Sequence, residues 1–168
     1  MSAFVVKRTR GTVEVGDGVT IPAEIEAKCT HDGYKIRFVA VFDNDAGRYM
    51  VRVLEVTAKT APEVTGEKLR TIPVASLLRD VVMYKLADTP LAGRRPPEDL
   101  ASTASTSELL QWVSRIYRRA VILGDPPAQS VANALNVPRS TAGRWIMRAR
   151  DRGLLTVVDR RAPGRRED

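Results

Sequence analysis

Two neighbouring stretches, VTIPAEIEA at 19–27 and YKIRFVAVF at 34–42, alternate apolar and polar residues, and this restricts the fold more than any other feature of the chain. A period of two matches the side-chain alternation of a β-strand and not the period of a helix. Val19, Ile21, Ala23, Ile25 and Ala27 fall on one side of the first stretch, and Tyr34, Ile36, Phe38, Ala40 and Phe42 on one side of the second. HDG at 31–33 is a turn signal that joins them as a hairpin. Pro22 places the first strand along an edge, because proline has no N–H for a ladder. AFVVK and TVEV, separated by TRG, read as two shorter strands, and DNDAG turns the chain into a further strand, RYMVRVLEVTA. The spacing is that of an antiparallel meander.

TGEKLRTIPVASLLRDVVMYKL at 65–86 follows. Pro73 suits the first turn of a helix, where its missing N–H would have had no helical partner. Val74, Leu77, Leu78, Val81 and Val82 then form one apolar stripe at helical spacing. Such a helix either covers the open face of the sheet or pairs with its counterpart in a second copy, and the sequence leaves both open. DTPLAGRRPPEDLASTASTS at 88–107 has the composition of a linker. It ends in Ser105-x-x-Glu108, a capping-box spacing that starts a helix. In that helix Leu109, Trp112, Val113, Ile116, Ala120 and Leu123 share a face, with Arg115, Arg118 and Arg119 mostly turned away.

Charge is distributed unevenly. Residues 101–168 hold twelve arginines and no lysine against six acids, whereas residues 1–100 are nearly balanced, fifteen bases against fourteen acids. A positive field confined to one end of a chain attracts polyanions, of which duplex DNA is the commonest. Catalytic signatures are missing from the pattern. One cysteine, Cys29, and one histidine, His31, cannot supply a four-ligand zinc site. DNDAG opens like a calcium loop, but the twelfth position counted from Asp43 is Leu54 and not Glu. GDG and TRG lack the lysine of a phosphate-binding loop. The chain is expected not to be an enzyme and to take no cofactor or metal. A lone cysteine, no apolar run of membrane-spanning length and no signal-peptide pattern in MSAFVVKRTRGTVEV point to a cytoplasmic protein without a membrane partner.

The arginine-rich end contains SVANALNVPRSTAGRWIMRARDRGLL at 130–155. Ala132 is small enough for two helices to touch, and Asn136, four positions on, tolerates the left-handed backbone of a tight turn. Val131, Leu135, Val137, Ala142 and Trp145 stand at the offsets that point inward. Preceded by IYRRAVILG and a PP pair, this stretch resembles the helix-turn-helix domain of small actinobacterial and actinophage regulatory proteins, over roughly residues 108–155. Pro138 stands where such motifs usually carry Ser or Thr, and Asn136 where they usually carry Gly.

The resemblance implies a cytoplasmic duplex-DNA-binding protein, a transcriptional regulator or a phage control factor. It places the helix from Arg139 to Arg152 in the major groove. Arg139, Ser140, Thr141, Gly143, Arg144 and Met147 are then the base-reading residues, with Arg144 first because a guanidinium grips guanine through two parallel hydrogen bonds. Arg118, Arg119, Arg148 and Arg150 are assigned to phosphates, which position without reading sequence. Arg160, Arg161, Arg165 and Arg166 form a basic tail. The expected fold class is α+β, with an N-terminal antiparallel β-meander and one covering helix at 1–87, a linker at 88–107, a trihelical helix-turn-helix domain at 108–156 and the tail at 157–168. The first domain would form a homodimer or bind a host or phage protein. The alternative function is a protein-interaction adaptor that docks on host transcription machinery, or a phage DNA-handling factor in packaging or recombination control.

Overall fold

The computed structural model describes residues 4–155. The basic tail assigned to 157–168 lies outside the described residues, as do the ends of the chain at 1–3 and 156.

Among the described residues four strands come first, β1 (Phe4–Glu14), β2 (Thr20–His31), β3 (Tyr34–Asp43) and β4 (Arg48–Ala58), in an antiparallel sheet of order β1-β2-β3-β4. Asp32 and Gly33 both take positive φ between β2 and β3. That is the two-residue turn whose twist matches paired strands, and it sets the register Ile25↔Ala40 and Cys29↔Ile36. Ile21, Ile25, Ala27 and Cys29 of β2 and Tyr34, Ile36, Phe38, Ala40 and Phe42 of β3 are buried. The intervening positions carry ion pairs, among them Arg37 with Glu26 and Glu55, each at 2.7 Å.

Two strand expectations are corrected. β2 lies between β1 and β3 and is not an edge strand. Pro22 sits near its start, where one missing donor disturbs little, and its carbonyl accepts from the Tyr49 hydroxyl at 2.6 Å. Residues 4–7 and 12–14, read as two shorter strands, belong to one strand, because Gly11 takes a positive φ of 58° and carries the chain through TRG without leaving the sheet.

The expected succession of one covering helix, a linker and three helices is also overturned. Among the described residues six helices follow the sheet, α1 (Gly66–Thr71), α2 (Val74–Leu86), α3 (Leu100–Thr103), α4 (Thr106–Leu123), α5 (Pro127–Leu135) and α6 (Arg139–Asp151). Thr65 caps α1 by accepting from the Lys68 N–H, so this turn of helix forms ahead of Pro73, which immediately precedes α2. Lys68 in turn reaches the Asp32 carboxylate at 2.7 Å and holds that acid below the usual carboxylate range. Leu77, Val81, Val82 and Leu86 of α2 are buried, while Tyr84 stays exposed with its ring edge-on to Phe4. The Pro/Gly/Ser-rich stretch contains α3 and buries Leu91 and Leu100. Two well-placed leucines tie down a segment whose composition reads as linker.

By contacts the described chain falls into two units. One comprises residues 4–13, Ile21–Phe42 and Tyr49–Lys85. The other comprises Glu14–Thr20, Asp43–Arg48 and the described residues from Leu86 onward. In this second unit Leu109, Leu110, Val113 and Tyr117 of α4, Val131, Ala132 and Leu135 of α5, and Ala142, Ile146 and Ala149 of α6 share one core with Leu100 and Leu155. The alanines let helix backbones approach, and each larger aliphatic side chain contributes about 1.5–3 kcal/mol of burial.

Candidate nucleic-acid interface

Helix α5 begins with Pro127 in its first turn, where a missing N–H costs nothing. It ends at Asn136, in the left-handed region at φ 50° and ψ 49°. The Val137 N–H then turns back to the Ala132 carbonyl at 3.0 Å, closing the end of α5 before the next helix starts. Pro138 precedes α6 without any side-chain cap, and its carbonyl accepts from the Ala142 N–H at 3.0 Å. The turn therefore comes from a left-handed asparagine and a proline, two residues that each fit their backbone.

Because Ala142, Ile146 and Ala149 face the core, the opposite side of α6 is fixed by helical geometry. Arg139, Ser140, Arg144, Met147 and Arg148 are exposed there, with Met147 54% exposed. The side chains of Arg139 and Arg148 make no hydrogen bond or ion pair among the described residues, and that of Arg144 makes one marginal contact, to the Thr141 hydroxyl at 3.5 Å. Gly143 lies within the helix, and a Cβ added there would meet no atom within 4 Å. Thr141 is half-buried beside this stripe.

The residues assigned to phosphates do not stay together. Arg148 is on the exposed stripe. Arg150 is half-buried, donating to the Tyr117 hydroxyl at 2.8 Å with its guanidinium 5.4 Å from that ring's centroid. Arg118 is a correction. Its side chain is 3% exposed, pairs with the Asp17 carboxylate and donates to the Leu154 carbonyl, so it presents no charge to a phosphate. The apolar stripe of α4 is broad enough that the helix buries Leu110, Val113 and Tyr117 more deeply than Trp112 and Ile116, and this rotation carries Arg118 inward. Gly16 makes room for it, since a Cβ there would lie 2.6 Å from the guanidinium. Arg119 is half-buried beside Gly93.

Sequence reasoning missed Asp17 as the partner of Arg118, and it missed Arg94, Arg95 and Arg115 as neighbours of Arg119 around one cleft. GRRPPE carried a signal for the latter, a pair of arginines that are the only bases between 88 and 107. Among the described residues no helix is long and apolar enough to cross a membrane, and no group of three His, Cys, Asp or Glu is placed to hold a metal ion. No family model, no curated protein and no solved structure matches this chain.

Proposed function

We propose that this protein binds duplex DNA in a sequence-dependent way, as a regulator of transcription, with the outer face of α6 in the major groove. The observation that carries the reading is Gly143. Glycine inside a helix costs about 1 kcal/mol relative to alanine, and here the protein's own packing gives no reason for it. A residue that weakens its helix and leaves open space above it suits close approach by a partner's surface. The arginines around it give that partner's charge. Arg139, Arg144 and Arg148 flank the gap with no internal counter-ion among the described residues, and the exposed Met147 between them matches the apolar methyl of thymine. Arg144, one position from Gly143, is the best placed to read guanine, while Arg139 and Ser140 at the start of α6 reach bases or phosphates. Arg118 has no part in this interface, and Arg150 contributes by fixing α6 to α4.

Selection from a randomised duplex library at near-physiological salt, with wild type and Arg144→Ala in parallel, tests the reading. Enrichment of a defined site by wild type, relaxed at one base pair in the variant, is expected. Binding should also weaken steeply as salt rises, because each phosphate contact releases counterions. Absence of any enriched site at any salt would sink the proposal and favour an adaptor that docks on protein.

A further inference from the structure

A second basic feature lies away from the outward stripe of α6, where the stretch at 90–98 runs beside α4 and α5 and encloses a cleft of about 690 Å³. That size falls in the range of small-molecule sites. Arg94 and Arg95 line it from the 90–98 stretch, and Arg115 and Arg119 from α4. None of the four side chains makes a hydrogen bond or ion pair among the described residues, although Arg115 lies over the Trp112 ring at 5.8 Å from its centroid. Two acids, Glu98 and Asp125, share the wall, so positive charge is in excess. Four guanidinium groups around one concavity repel each other, and the concave wall concentrates their field. Packing has made space for this. Gly93 leaves room for the Arg119 guanidinium, whose Nη2 would stand 2.8 Å from a Cβ at that position.

We propose that this cleft binds a small polyphosphorylated molecule. Guanidinium forks match phosphate oxygens through paired charge-assisted hydrogen bonds, and several arginines converging from two segments suit a ligand with more than one phosphate. Ser130 and Asn133 of α5 add neutral polar groups along the same wall. A phosphate chain held there bridges the 90–98 stretch to α4 and α5, so binding and the placement of that stretch are coupled. The proposal uses none of the arginines on the outward stripe of α6, and it takes Arg119 away from the DNA phosphates to which the sequence pattern assigned it.

Isothermal titration of the full chain with tripolyphosphate and with ATP, at low salt, tests it. One saturable site is expected for both probes. Arg115→Gln and Arg119→Gln should each weaken it by roughly ten- to a hundredfold, the loss of one charge-assisted hydrogen-bonded pair. Arg144→Ala should leave it unchanged. A lack of saturable binding, or equal weakening by Arg144→Ala, would overturn the proposal in favour of diffuse electrostatic attraction. If instead Arg115→Gln and Arg119→Gln weakened duplex DNA binding as much as they weakened tripolyphosphate binding, the cleft would be part of a DNA backbone contact and the small-ligand proposal would fail. Circular dichroism of each variant confirms that the helices persist.

Discussion

Arg118 of α4 and Asp17 of the β1–β2 loop form an ion pair across 101 positions of sequence, the arginine 3% exposed and the carboxylate 49%. The same guanidinium donates to the Leu154 carbonyl, so one buried cation ties together the loop at 14–20, the middle of α4 and the segment after α6. A buried charge keeps its place only while its partners remain, because losing one leaves desolvation uncompensated. Asp17→Asn retains the shape and tolerates the positive φ of 54° at this position, and so isolates the charge. It should lower stability by about 1–2 kcal/mol, tempered by the carboxylate's partial exposure. In a urea-unfolding cycle with Arg118→Met, the double variant should cost less than the sum of the single ones. Strict additivity would mean that the pair contributes no coupling.

Gly143→Ala separates the needs of the fold from those of the partner. The added methyl meets nothing within 4 Å and the helix gains propensity, so stability should rise by about 0.5–1 kcal/mol. DNA affinity should fall at the same time. Thermal unfolding and a binding isotherm on one preparation read both, and a variant that binds DNA as tightly as wild type would remove the main support for groove approach at this position.

Asn136 sets the angle between α5 and α6 through its left-handed backbone. Glycine reaches that region without strain, so Asn136→Gly should be nearly neutral, whereas Asn136→Ala should cost about 1 kcal/mol and Asn136→Val more. Denaturation midpoints of the three variants give the order. A stable valine variant would show that the turn can be closed another way.

Alkaline pH should act through Tyr49. Its hydroxyl is buried and donates to the Pro22 carbonyl, and burial pushes its ionisation well above the ordinary phenol range. The folded state therefore holds this proton more tightly than the unfolded chain does. Its contribution is fully present below the unfolded phenol's pKa of about 10 and is lost as pH rises above it. Tyr49→Phe should be less stable at neutral pH, by about 1 kcal/mol for the lost hydrogen bond, and should show a shallower fall between neutral and alkaline pH. Parallel urea titrations at several pH values distinguish the two slopes.

Sequence alone determined what depends on near neighbours. Alternation at 19–27 and 34–42 marked the side of each strand that is buried, and Asp32-Gly33 marked the tight turn between them, because pleat and turn type are local properties. The left-handed turn at Asn136 and the Ser105 cap, which accepts from the Glu108 N–H, followed from single residue types for the same reason. The outward stripe of α6 was legible because α6 has one narrow apolar side formed by Ala142, Ile146 and Ala149.

Tertiary structure decided the rest. Helix α4 has apolar residues over so wide an arc that periodicity cannot tell which of Arg115, Arg118 and Arg119 turns inward, and the answer came from Asp17, far away in sequence. Leu91 and Leu100 are isolated in a polar stretch, and only the neighbours they bury against make that stretch part of the fold. The cleft of four arginines arises from two segments meeting in space, which no local pattern contains. Local periodicity fixes which side of an element is apolar, whereas long-range packing decides what that side meets and which charges are buried with it.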